Sequence, residues 1–164
     1  MNLRIRKTGS GFTIIEMMMS LVILGFLMAS VAVAFHASVI NYHENENMYK
    51  AANMARQALL RITMHLRNAQ AVAASETANQ CSMITTDGAD ITYKYDSSDN
   101  KLYLITNDVT TDADHILCEN VTAMSFDRTQ VTPGVIRNVQ ILITVTIGDT
   151  SQTIATAVVV RKNL

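Results

Sequence analysis

From Phe12 to Phe35 the chain is almost wholly apolar, interrupted by Thr13, Glu16, Ser20, Gly25 and Ser30. At 1.5 Å per residue this stretch predicts a helix of about 36 Å, long enough to cross a hydrocarbon core of roughly 30 Å. Beyond His36 the composition turns polar while the helical period persists. Ala51, Ala55, Ala58, Leu59, Ile62, Leu66, Ala69 and Ala73 recur at steps of three and four, one stripe on a single helix face. Arg56, Arg61 and Arg67 fall largely off that stripe. No proline or glycine lies between Phe26 and Asp87, so one helix from about Phe12 to Ala74 is expected, about 95 Å long. Its first half suits lipid and its second half suits a protein core.

After Ala74 the period changes to two. Ile91 to Tyr95 alternates, Asp96-Ser97-Ser98-Asp99-Asn100 supplies turn chemistry, and Lys101 to Ile105 alternates again, which predicts a hairpin. Val121 to Phe126 reads as a further strand. Val139 to Ile147, the turn Gly148-Asp149-Thr150-Ser151 and Thr153 to Val160 read as a second hairpin, rich in the β-branched residues that strands prefer. The expected fold class is α+β: a long N-terminal helix whose amphipathic half packs on a C-terminal antiparallel sheet.

Length and charge narrow the function. The 164 residues fit one domain, and 13 Lys+Arg nearly balance 14 Asp+Glu. Three of the cations, Arg4, Arg6 and Lys7, stand together ahead of the apolar run with no acidic residue among them. They predict a cytoplasmic N-terminus and a C-terminal part facing outward. The remainder is mildly acidic, so no nucleic-acid groove is expected. The organisation read from these shifts is a basic segment over 1–11, a transmembrane segment over 12–35 and an exported domain over 36–164, helical to about residue 74.

Few residues point to chemistry. His36, His43, His65 and His115 form no HExxH pair, and neither a Gly-x-Ser-x-Gly elbow nor a phosphate-binding glycine loop occurs, so an enzyme is not expected. Cys81 and Cys118 have no metal-knuckle or CxxC spacing. An oxidising compartment would favour joining them, with about 3–4 kcal/mol of stabilisation; two unrelated buried thiols are the other reading. Asp108, Asp112 and Asp114 cluster before His115, and Asp96 and Asp99 flank a turn. Such oxygens are weak calcium candidates beside their ordinary role in solvated loops, and no cofactor is expected.

The telling oddity is Glu16. A carboxylate inside a membrane helix costs several kcal/mol and normally has a partner or a purpose. A cut between Gly11 and Phe12 would place a new α-amine four residues before Glu16, largely cationic at neutral pH and able to neutralise it. Snorkelling to the membrane surface is the plain alternative. With its surroundings, Gly11-Phe12-Thr13-Ile14-Ile15-Glu16 resembles the type IV prepilin signature. That resemblance implies a basic leader (Arg4, Arg6, Lys7) cut by a prepilin peptidase after Gly11, N-methylation of Phe12, and an assembly role for Glu16, which meets the Phe12 amine of an adjacent subunit. It also implies a pilin-like fold, a single pass through the bacterial inner membrane and its lipid, and a filament of pilin or pseudopilin subunits built on an inner-membrane assembly platform.

A finer likeness lies in Met54 to Ala69, Cys118 to Phe126 and Val159-Val160-Arg161-Lys162-Asn163, which look like the minor pseudopilin J family of type II secretion and related minor pilins. Val33 stands where many major pilins carry a helix-kinking proline. The implied role is a minor subunit that helps initiate or cap a type II secretion pseudopilus or a type IV pilus. The competing reading is ordinary export, with Ala32-Val33-Ala34 as a signal-peptide cleavage site and a soluble or membrane-anchored binding protein released after Ala34. The apolar run exceeds the usual 7–15 residues of such a signal, and Glu16 interrupts it.

Overall fold

A computed structural model describes residues 11–107 and 114–161. It contains one helix, α1 (Ile14–Asn68), followed by β1 (Ala71–Val72), β2 (Gln80–Ile84), β3 (Asp90–Asp96), β4 (Lys101–Thr106), β5 (His115–Cys118), β6 (Val121–Thr132), β7 (Val135–Ile147) and β8 (Thr150–Val159). The chain divides into two compact units, Met1–His43 and Glu44–Leu164.

In the first unit every described residue is exposed, apolar side chains included. A helix apolar on all sides needs an apolar surrounding, and this one is long and apolar enough to cross a membrane. Its hydroxyls are turned inward on the backbone. Ser20 donates to the carbonyl of Glu16 at 2.7 Å, Ser30 to that of Phe26 at 2.9 Å, and Ser38 to that of Ala34 at 2.9 Å.

The second unit holds the core. Ala51, Ala55, Ala58, Leu59, Ile62 and Leu66 form the buried stripe of α1, as the sequence period predicts. They join one hydrophobic cluster with Tyr93, Leu102, Phe126, Ile141, Ile143 and Val145 of the strands. Burying each larger side chain contributes roughly 1.5–3 kcal/mol. The arrangement is α+β and pilin-like, with antiparallel strands throughout.

The strands form two sheets rather than one, in the orders β1-β2-β3-β4-β5 and β6-β7-β8. The hairpin read at Ile91–Ile105 is β3–β4, with Tyr95 opposite Leu102 and Asn100 in the left-handed region at φ 58°. The second predicted hairpin is β7–β8, with Ile143 opposite Ile154. Helix α1 stops at Asn68, short of the expected Ala74. There Gln70 donates to the carbonyl of Ile84 at 2.8 Å, and Ala71 and Val72 pair with Ile84 and Met83. Strand pairing takes the backbone groups that another helical turn would have used. β6 and β7 run on to meet at Pro133-Gly134, where Gly134 adopts φ 87°.

Residues 74–80 tie the two sheets together. Tyr95 of β3 donates to the carbonyl of Asn79 at 2.8 Å, and Phe126 of β6 donates to that of Ala78 at 2.7 Å. The Arg128 guanidinium donates to the carbonyls of Glu76 at 3.0 Å, Thr77 at 3.2 Å and Gln80. It also faces the Glu76 carboxylate at 3.5 Å, and that carboxylate accepts from the Ser82 N–H at 2.8 Å. Both side chains are largely buried, and these bonds offset most of the loss of water, while the Arg128 Nε stays buried without a hydrogen-bond partner.

Candidate functional site

The sequence places its most specific chemistry at 11–16, the start of α1. Gly11, Phe12 and Thr13 precede the helix as exposed, non-helical residues. Thr13 is the cap: its Oγ1 accepts from the Glu16 N–H at 3.3 Å, and its carbonyl accepts from the N–H groups of Glu16 and Met17 at 3.1 and 3.2 Å. Thr13-Ile14-Ile15-Glu16 therefore has the spacing of a capping box, with the acidic residue in the first turn where the helix dipole favours it. The T-x-x-E spacing before an apolar run marks this helix start in the sequence, although the observed cap uses only the Glu16 backbone N–H.

Gly11 has nothing within 4 Å of where a β-carbon would lie, and its backbone is not in the left-handed region. Neither space nor conformation in the folded chain demands glycine there. Phe12, directly after it, is 74 % exposed. Ala34, the end of the A-x-A pattern, lies inside α1 with its carbonyl bonded to Ser38. Arg4, Arg6 and Lys7 lie outside the described residues.

Cys81 and Cys118 are both buried and both free. Cys81 is on β2 and Cys118 on β5, with β3 and β4 between them. Strands pair at about 4.8 Å, so three spacings separate the two backbones by roughly 14 Å. A disulfide tolerates a Cα separation of up to about 7 Å. Burial raises both thiols to about 11, against the opposing pull of Arg128 at Cys81 and helped by Glu119 at Cys118.

Of the calcium candidates, Asp108 and Asp112 lie outside the described residues, and Asp114 is exposed. Among the described residues no three His, Cys, Asp or Glu side chains come together as a metal site. Asp96 and Asp99 instead organise the β3–β4 turn. Asp96 accepts from the Ser98 N–H at 2.9 Å and from its hydroxyl at 2.7 Å, bonds that lower the Asp96 pKa. Asp99 accepts from the Lys101 N–H at 3.2 Å and from the Tyr103 hydroxyl, whose pKa rises to about 12 for that reason first.

Of the four histidines, His65 acquires a defined partner that sequence did not reveal. Its Nδ1 lies 2.8 Å from the hydroxyl of Tyr93, a fully buried residue of β3. Period-two alternation placed Tyr93 in a strand, but nothing local marks His65 as its counterpart 28 positions away.

Residues 6–32 match a family described as the prokaryotic N-terminal methylation motif. No curated protein and no solved structure matches the chain. The motif and the long apolar helix together support a type IV pilin-like prepilin. They fit N-terminal methylation, a single-pass inner-membrane anchor, and dealings with other pilin subunits and a prepilin peptidase. They also support a structural subunit rather than an enzyme.

Proposed function

We propose that the chain is a minor pseudopilin or minor pilin, of the J type, that helps initiate or cap a type II secretion pseudopilus or a type IV pilus. Leader 1–11 is removed, 12–35 is the transmembrane and assembly helix, and 36–164 is the domain beyond the inner membrane, periplasmic in a secretion machine. The observation that supports a pilin-like subunit is the coincidence of the methylation motif with the beginning of α1 at Gly11-Phe12-Thr13-Ile14-Ile15-Glu16, and the minor J-type role rests on the likeness of Met54 to Ala69, Cys118 to Phe126 and Val159 to Asn163.

Each residue of that junction then has a task. Gly11, which the folded chain does not require, is the residue a peptidase reads, and the exposed peptide bond to Phe12 is the one it cuts. The freed and methylated Phe12 amine of one subunit neutralises Glu16 of the next, removing the cost of a bare carboxylate in hydrocarbon. Within its own chain the Glu16 backbone N–H is bonded by the Thr13 cap, which leaves the exposed carboxylate for the neighbour.

Intact mass of the membrane-extracted chain tests the processing. A chain beginning at Phe12 with one added methyl is expected, whereas a chain beginning at Phe35 would establish ordinary export after Ala34 and overturn the proposal. Assembly is tested by Glu16→Ala. The variant is expected to enter the membrane as well as the native chain but to reach filaments at a small fraction of its level, and native amounts of assembled variant would remove the role given to Glu16. Cross-linking in native membranes separates the machines by whether secretion pseudopilins or pilus subunits are recovered with it.

A further inference from the structure

The three-stranded sheet has two edges, and the chain treats them differently. The β6 edge is occupied: Phe126 gives its N–H to Ala78, and Arg128 draws the carbonyls of 76, 77 and 80 against it. Among the described residues no strand pairs with β8 on the side away from β7. β8 runs for ten residues, Thr150–Val159, without a charge, proline or glycine. Exposed edges are ordinarily blunted by short length, charge, proline or a covering segment. β8 uses none of these.

Beside β8 lies a groove of about 380 Å³, walled by Arg56, Leu60 and Arg67 of α1 and by Ile154, Ala155 and Thr156 of β8. Ile154, Ala155 and Thr156 lie at the middle of β8, the strand whose outer side has no partner among the described residues. Leu60, 63 % exposed, lies between the two arginines on the helix. From Ala51 to Ser75 the chain carries no carboxylate, while Arg56, Arg61 and Arg67 are all exposed. One wall thus offers unpaired backbone groups, and the other offers cations around an apolar spot.

We propose that this groove receives an extended acidic segment of another polypeptide, which adds to β8 as a fourth strand. Its backbone takes the open N–H and C=O groups of β8, and carboxylates on its inward face meet Arg56 and Arg67. A second copy of β8 is a poorer occupant, because its uncharged sequence has nothing to offer the arginines. The inference stands apart from the pseudopilin reading, since it uses only residues of the second unit and no property of the N-terminal motif.

The test uses the full chain in detergent micelles and a labelled ten-residue peptide, the length of β8, alternating glutamate with valine or threonine. A lysine counterpart is the control. The glutamate peptide is expected to bind saturably and to slow hydrogen exchange at alternate amides of residues 150–159, while the lysine peptide does neither. Arg56→Glu with Arg67→Glu, both at exposed positions, should weaken the glutamate peptide about tenfold or more and admit the lysine peptide instead. Absence of saturable binding, equal binding of both peptides, binding that leaves the β8 amides unprotected, or protection of β8 by self-association without peptide would each overturn the proposal.

Discussion

His65 titrates under two influences acting in the same direction. Partial burial disfavours its charged form, and the nearby Arg61 cation adds to that, so its pKa lies below the ordinary value of 6.5. The neutral ring also suits the hydrogen bond to Tyr93, whose hydroxyl is held protonated by burial. The unfolded chain therefore takes up a proton before the folded one, and stability at this site falls as pH drops from about 6.5 towards the lowered folded value. Above that window the contribution is complete, and below it no further loss occurs. Denaturant melts of the native chain and His65→Gln between about pH 5 and 8 should diverge in slope only there, and parallel curves would refute the assignment. The thiols give a second residue-scale prediction. Cys81 and Cys118 are expected to resist a thiol reagent in the native state, to react with two equivalents after unfolding, and to leave the melting temperature unchanged when a reductant is added. A native chain with no reactive thiol even when unfolded would mean that the two are joined.

At the scale of elements, the Arg128–Glu76 clasp carries more than its single ion pair. Arg128→Ala would take the guanidinium donor from the part-buried carbonyls of Glu76 and Gln80 and leave the Glu76 carboxylate with the Ser82 N–H but no cation, and a loss of about 3 kcal/mol is expected. Arg128→Met with Glu76→Gln should recover part of it, since no uncompensated charge then remains. Equal stability of Arg128→Ala and the native chain in urea would show that the clasp is decorative. Nothing in the sequence near Arg128 announces this pair, because its partner is 52 positions away and reached only after both sheets have formed. The same holds for β1. Ala71 and Val72 follow an unbroken helical stripe, with Ala69 and Val72 buried in step with Leu66, and only pairing with Met83 and Ile84 reveals a strand. By contrast β3, β4, β7 and β8 were legible because alternation, β-branched content and turn residues all agree locally. The division into two sheets was not, since register between distant strands leaves no local mark. At the N-terminus legibility was greatest: Gly11, Phe12 and Glu16 are specific by type and spacing, while their cap by Thr13 needed the hydrogen bonds to be seen.

On the scale of the whole molecule, folding and anchoring are separable. Among the described residues the first buried one is Ala51 and the last is Val160, so their core lies in the unit that begins at Glu44. A fragment of residues 44–164 should therefore unfold cooperatively, with a loss below about 1 kcal/mol, or roughly 2–5 °C in melting temperature. A molten or non-cooperative fragment would show that residues before 44 contribute to the fold. The serines of the first unit have a different consequence. With Ser20, Ser30 and Ser38 each closed on its own backbone, the flank of the rod is hydrocarbon around its full circumference, and hydrocarbon has no preferred azimuth. Glu16 is the one ionisable side chain between Gly11 and Phe35. In the proposed filament such a helix would spin and slip against its neighbours with little resistance, and the bearing of a single carboxylate, like the key on a shaft, would fix the angle at which it stops.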